Sequence, residues 1–277
     1  MKTNTKVADY EFVAKLFAPK GTDCIGPRQL AECKALNLDL DPDWIPEIPK
    51  IQRAELERAL ELGQFLIYRH DKMKTGHLTI RTVHDGCNNI VGEGNLLRNI
   101  GWCNGGKEIF FEKEKITPGW YLVGREEIPG STGMDYLSQT RVIADYLAKV
   151  IYQDQRIPKI YTEAIRELDD QEDILRKLVM DDWKRGAVKL SELKLNQFCR
   201  QSGVEFIYDN TAYLVVNGKH LFPNKLAWLR SLSSGGDFVG VGLCDPGGVR
   251  VGSGGPRDSG SFLGVRFSRR LVPNMES

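Results

Sequence analysis

The chain has 277 residues, 41% of them hydrophobic and 27% charged, with a net charge of +1. That length can bury a substantial core, and the near-neutral balance gives no electrostatic case for nucleic acid or an anionic membrane as partner. No apolar run is long enough to span a bilayer.

The first residues, "MKTNTKVADYEF", contain no apolar signal-type stretch, so no secretory signal is expected and the cytoplasm is the default compartment. Six cysteines, Cys24, Cys33, Cys87, Cys103, Cys199 and Cys244, form no Cys-x-x-Cys pair. They read as reduced, mostly buried thiols. The four histidines are scattered, so neither a metal site nor any other cofactor is expected.

Residues 1–35 read as helical, with Phe12, Leu16 and Leu30 as apolar points. The prolines of "DLDPDWIPEIPK" then force an extended connector. "QRAELERALELG" is a short helix of strong formers with Gly63 as its C-cap. "QFLIYRH", "HLTIRTV" and "GWYLVGREEI" read as strands. Pro129-Gly130 ends the last of these, and Ser131 or Thr132 can cap a helix over 133–152. In it Ile143, Tyr146, Leu147, Val150 and Ile151 recur at helical spacing. Pro158 opens a further helix, and "DILRKLVMDDWKRGAVKLSEL" suggests another with Ile174, Leu178 and Trp183 inward. In "AYLVVNGKHLF" the Asn217-Gly218 pair suits a type I′ hairpin turn.

The last third changes character. Eleven of the 30 residues from Gly235 to Gly264 are glycine. Val239, Val241 and Leu243 alternate with small residues, as do Val249 and Val251, and then Leu263, Val265 and Phe267. Three strands each put one apolar row inward and leave the other row for solvent or a partner. The expected class is α+β. A helical N-terminal region with its Pro-rich connector spans 1–62. A mixed domain ending in antiparallel sheet spans 63–277.

Leu229–Arg270 contains no Lys, Glu, Gln, Met or Trp, although these five make up about a fifth of the chain. None of the five can be written by a codon that ends in a pyrimidine. Every residue present in the stretch can be reached by randomising the first two bases of such a codon.

The segments "GWYLVGREEIPGSTGMDYLSQT", "RIPKIYTEAIRE", "LKLNQFCRQSGVEFIYD", "WLRSLSSGG" and "VGVGLCDPGGVRVG", followed by Pro256 and "LGVRFSR", occur in this order. With them the C-terminal half resembles the variable proteins of diversity-generating retroelements. The resemblance is to the archaeal and candidate-phylum type, whose C-type lectin fold is related to formylglycine-generating enzymes. The resemblance implies a C-type lectin-like domain with a variable region at 228–270. Error-prone reverse transcription at adenines would rewrite chosen codons there while the scaffold stays fixed. By position, the implied scaffold is Trp228, Val239, Val241, Gly242, Asp245, Gly248, Val249, Val251, Pro256, Leu263, Gly264, Val265, Phe267 and Ser268. The implied rewritable, ligand-binding positions are Gly240, Leu243, Pro246, Gly247, Arg250, Ser253, Gly255, Arg257, Asp258, Ser259, Gly260, Ser261, Phe262 and Arg266. Strand phase agrees for Gly240, Arg250 and Arg266, which would face away from the apolar row, and disagrees for Leu243.

The implied function is non-catalytic display of a binding surface toward a protein or other macromolecule. The surface has no Tyr or Asn between Leu229 and Arg270, so weak binding by this copy is expected. Three alternatives stand beside it. An undiversified structural or interaction domain would show no codon bias. A formylglycine-generating-type oxidase would need a cysteine pair. A calcium-dependent lectin would need more carboxylates than Asp237, Asp245 and Asp258. "GSGGPRDSGS" lacks the Lys-Ser/Thr of a phosphate-binding loop.

Overall fold

A computed structural model describes residues 3–17, 23–49, 51, 53–87, 96–153, 155–245 and 247–271. The chain is α+β. Helix α1 (Thr3–Phe17) buries Tyr10, Val13 and Phe17, while Phe12 is exposed. Strand β1 (Cys24–Ile25) and helix α2 (Pro27–Glu32) follow, so residues 1–35 are not wholly helical. The Pro-rich connector before α3 (Arg53–Glu61) contains no helix or strand over its described residues 39–49 and turns at Pro42-Asp43, where the Trp44 N–H donates to Asp41 O. Gly63 takes φ +69° just beyond α3, the left-handed turn that glycine adopts freely.

Strand β2 (Gln64–Arg69) and the short β3 (Lys72–Met73) and β4 (Gly76–His77) precede α4 (Ile80–Cys87). The expected strand "HLTIRTV" is therefore mostly helix: Ile80 and Val83, three residues apart, both bury on one face. Strand β5 (Leu97–Arg98), α5 (Ile109–Glu112) and β6 (Gly119–Glu127) come next.

Helix α6 (Tyr136–Tyr146) is capped by Asp135, whose side chain accepts from the Ser138 N–H, rather than by Ser131 or Thr132. A π-helical turn, Leu147–Ile151, extends it. Helix α7 runs unbroken over Lys159–Asp181 and α8 over Trp183–Glu192. The buried face of α7 is Tyr161, Ala164, Leu168, Leu175 and Val179. That phase turns Ile174 out to 67% exposure, against the expected inward position.

Helix α9 (Lys194–Cys199) leads to α10 (Gly203–Asn217), which occupies the expected hairpin. Ser202 and Glu205 form a capping box at its start. Gly218 takes φ +68° and ends the helix, so Asn217-Gly218 is a helix stop and not a hairpin turn.

The last strands are β7 (Leu226–Leu232), β8 (Phe238–Asp245), β9 (Gly248–Gly254), β10 (Leu263–Gly264) and β11 (Arg266–Arg270). A four-stranded sheet has the order β1-β2-β6-β11, a five-stranded sheet the order β10-β7-β8-β9-β5, and β3 and β4 form a two-stranded sheet. The long pairings, β2–β6, β6–β11, β7–β8 and β8–β9, are antiparallel.

Two clusters of buried side chains form the core. Val239, Val241, Val249 and Val251 face one, together with Ile25, Leu30 and Phe65. Trp228, Phe238, Leu263, Val265 and Phe267 face the other, with α6 and α7. The apolar rows expected from alternation are thus buried, but they serve two different cores.

Candidate ligand-binding surface

The five-stranded sheet sets the geometry of the candidate surface. Register pairs Trp228 with Gly240, and Gly240 with Gly252. It pairs Leu226 with Gly242, Gly242 with Arg250, and Phe238 with Gly254. One face therefore carries Trp228, Gly240, Gly242, Arg250, Gly252 and Gly254. The opposite face carries the valines.

Glycine is required at part of this face. A Cβ at Gly242, where φ is +148°, would lie 2.1 Å from the Lys225 carbonyl oxygen. At Gly254 it would lie 2.7 Å from Trp228 Cη2 and 2.6 Å from Asp258 Oδ2. At Gly252 it would meet nothing within 4 Å.

The 255–262 loop leaves β9 at Gly254 and returns along β7 as β10. Its turn is closed by the Asp258 N–H donating to Gly255 O at 3.0 Å and the Gly255 N–H donating to Asp258 Oδ2 at 2.9 Å. The Tyr136 N–H donates to Pro256 O and the Gly133 N–H to Gly260 O, which ties the loop to the start of α6. At its far end the Leu226 N–H donates to Phe262 O and Lys225 Nζ donates to Ser261 O at 2.9 Å. Apart from the Asp258 carboxylate, these bonds use loop backbone and leave the other side chains outward. Asp258 against Gly254 places the loop on the same sheet face as Arg250.

Of the candidate positions, Gly247, Arg250, Ser253, Arg257, Asp258, Ser259, Ser261 and Phe262 are exposed. Leu243, Gly255 and Gly260 are half-buried. Pro246 lies outside the described residues. Arg250, Asp258 and the loop that carries Ser259, Ser261 and Phe262 share one face. Ser253 does not join them by phase, because it pairs with Val239 on the valine side.

Two positions correct the outward reading. Gly240 does face away from the valines, but that face is covered there: the site is buried, and a Cβ on it would touch the Trp228 ring at 3.7 Å. Arg266 is 1% exposed. It does face away from Val265 and Phe267, which belong to the core beside α6 and α7, but its own side is covered by the other core, to which Phe206 belongs. Its Nε donates to Gln201 Oε1 at 2.8 Å and its guanidinium lies 4.2 Å from the Phe206 ring centre. Leu243 sits at φ +45° in the irregular end of β8. Its N–H donates to Lys225 O and its own carbonyl accepts from Arg98 Nη2. That backbone conformation removes it from the strand's inward row.

The implied scaffold behaves differently. Trp228, Val239, Val241, Gly242, Gly248, Val249, Val251, Pro256, Leu263, Gly264, Val265, Phe267 and Ser268 are all buried.

Three neighbours were not legible as site residues. Trp102 is 40% exposed at the sheet edge, and its indole N–H donates to Val251 O at 3.4 Å. Lys225 holds the loop end, and Met180 Sδ lies 3.9 Å from Arg257 Nη1. They come from distant segments, so no local spacing marks them.

Beneath the surface lies an ionic network. Arg69 holds Asp209 through two bonds of 3.0 and 2.6 Å, and Arg230 holds Glu205 at 2.6 and 3.1 Å. Burial favours the neutral Glu205 acid, but Arg230 and Arg69 overcome it and pull its pKa down to about 2.

Burial pushes the Cys33 thiol up to about 11 and those of Cys24 and Cys103 up to about 12. Thiols so placed stay protonated and are poor nucleophiles at neutral pH. Among the described residues no three His, Cys, Asp or Glu side chains cluster in a way that could hold a metal ion. No described helix is long and apolar enough to cross a membrane. Compared with protein-family models, curated proteins and solved structures, the chain matches none.

Proposed function

We propose that this chain is a non-catalytic display protein with a C-type lectin-like fold. Its exposed 255–262 loop and the outward residue Arg250 are the rewritable binding surface, and its ligand is a protein or other macromolecule. The observation that carries this reading is the partition of burial. Scaffold positions between Trp228 and Ser268, Asp245 aside, are buried, while most rewritable positions are exposed side by side with them in sequence. A loop held by its backbone and by Asp258 can change its other side chains without losing its anchors.

The protonated, buried thiols support a non-catalytic role over a cysteine-based oxidase. Asp258 is engaged with its own turn, which weighs against a calcium lectin. The ligand side of the surface is short of large groups, with Arg250, Arg257 and Phe262 as the side chains of greatest reach. Interface energy concentrates in such groups, so this copy is a weak binder.

The test is a library randomised at Arg250, Arg257, Ser259, Ser261 and Phe262, with Asp258 kept as the turn anchor. Most members should express folded, because exposed substitutions away from special features shift stability by about 0.5 kcal/mol or less. Selection against a panel of proteins should enrich Tyr at Ser259 and Ser261. A mostly unfolded library would overturn the reading. So would a genome in which no near-copy of the codons for residues 228–270, differing at adenines, accompanies a reverse-transcriptase gene.

A further inference from the structure

We propose that a cleft on the opposite side of β6 from Phe65 binds a small apolar ligand bearing one positive charge, with the Glu126 carboxylate as its counter-charge. The cleft measures about 490 Å³ and lies between the end of β6 and the π-helical turn that follows α6. None of its lining residues is an exposed rewritable position. A cavity of this size, apolar with a few polar groups, has the form of a small-molecule site.

Its walls come from elements already fixed by folding. Leu62, Ile128, Val142, Val150 and Phe267 supply apolar surface. Gly124 supplies the gap. It pairs with Gln64 across β2–β6, and a side chain there would press on the Glu126 carbonyl at 3.3 Å. The π-helical turn widens the helix where Lys149 and Val150 meet the cleft, immediately after Tyr146. Such turns insert one residue into the helical ladder and recur at functional sites.

The polar groups single out a ligand class. Gln64 is fully buried behind the cleft wall. Its carboxamide bears on the phenol of Tyr146, which lines the cleft. Three carboxylates line the cleft. Asp145 is held by Lys149 at 3.2 Å and Glu127 by Lys225 at 3.9 Å. Glu126 has no ion pair among the described residues, and its neighbour Arg125 is engaged with Asp23. The Arg58 Nε that reaches Val150 O belongs to a guanidinium already paired with Glu61. The cleft therefore presents one uncompensated negative charge beside an apolar wall.

The experiment titrates the full chain, at low salt and neutral pH, with naphthylmethylamine, naphthylmethanol and naphthylacetate, following ligand fluorescence. The amine should bind about tenfold more tightly than the carboxylate, since one surface charge attracts the first and repels the second. The alcohol should fall between them. Glu126→Gln, an exposed substitution, should erase the ranking and keep alcohol binding. Val142→Trp, on a half-buried wall position, should abolish binding of all three. Equal binding of amine and carboxylate would overturn the charge assignment. No binding of any probe, or binding untouched by Val142→Trp in folded protein, would overturn the site.

Discussion

Arg266 and Asp209 are both fully buried, yet the nearest guanidinium nitrogen and carboxylate oxygen stand 4.0 Å apart. Asp209 is already held by both arms of Arg69 and by Gln201. Arg266 keeps one good bond, to Gln201, and its Nη1 and Nη2 have no hydrogen-bond partner. Burial accordingly lowers its pKa to about 10 despite the pull of Asp209. A buried cation in this position costs more in lost hydration than it recovers. Arg266→Met should therefore stabilise the protein by about 1 kcal/mol in urea melts, because Asp209 retains Arg69. A loss of more than about 1 kcal/mol would show that Arg266 is a necessary member of the network.

Glu205 gives a prediction for acid. Its carboxyl is held at about 2 in the folded chain by Arg230 and Arg69, which outweigh burial, against an ordinary value of 4.5. A depressed carboxylate contributes stability that is complete above its unfolded pKa and is lost as pH falls toward the folded value. The window is therefore pH 4.5 down to 2. The shift corresponds to about 3 kcal/mol. Glu205→Gln should be less stable at pH 7, and the gap to the parent should shrink through that window in denaturant melts taken at each pH. A gap that stays constant would remove Glu205 from the acid response.

The glycines of the outer sheet face separate into those that are required and those that are not. Gly242→Ala places a Cβ 2.1 Å from the Lys225 carbonyl oxygen at φ +148° and should cost at least about 2 kcal/mol. Gly252→Ala, two strand positions across on the same face, meets open space and should stay within about 0.5 kcal/mol of the parent. Chemical denaturation of the two variants side by side decides it. Similar costs would mean that the strand pairing, not the local contact, sets the demand for glycine.

What was legible in the sequence is what rests on local chemistry. The Pro-rich connector, α3 with its glycine stop, β6, and the valine rows of β8 and β9 follow from side-chain spacing alone. Helix α10 was not legible as a helix, because it is buried on nearly every side from Gly203 to Tyr213. A helix without a wet face has no 3.6-residue period to read. Its Ser202-x-x-Glu205 capping box was the available signal, and Gly218 fits a helix stop as well as a hairpin turn. Arg266 and Gly240 misled for a related reason. Strand phase tells which face a residue is on, but not whether a second core covers that face. The shared face of Arg250 and the 255–262 loop depends on β10 returning beside β7, a pairing of segments some 37 residues apart.

Phe262 and Phe267 test the partition most directly, since only five positions separate them. Phe267 is 2% exposed, packs edge-on to Tyr146 with ring centres 5.4 Å apart, and belongs to the second core. Phe262 is 46% exposed, and what binds it to the fold is its backbone carbonyl accepting from the Leu226 N–H, which any residue supplies. Phe267→Ala should cost about 3–5 kcal/mol, the transfer energy of a buried ring plus the cavity it leaves. Phe262→Ala should change stability by about 0.5 kcal/mol or less. Both values come from urea melts of single variants in the full chain. A small cost at Phe267 would mean that the cleft beside it admits water and the ring is not truly enclosed. A large cost at Phe262 would mean that the loop depends on that ring for its shape. The position could not then be rewritten freely, and the display reading would lose the largest side chain on its surface.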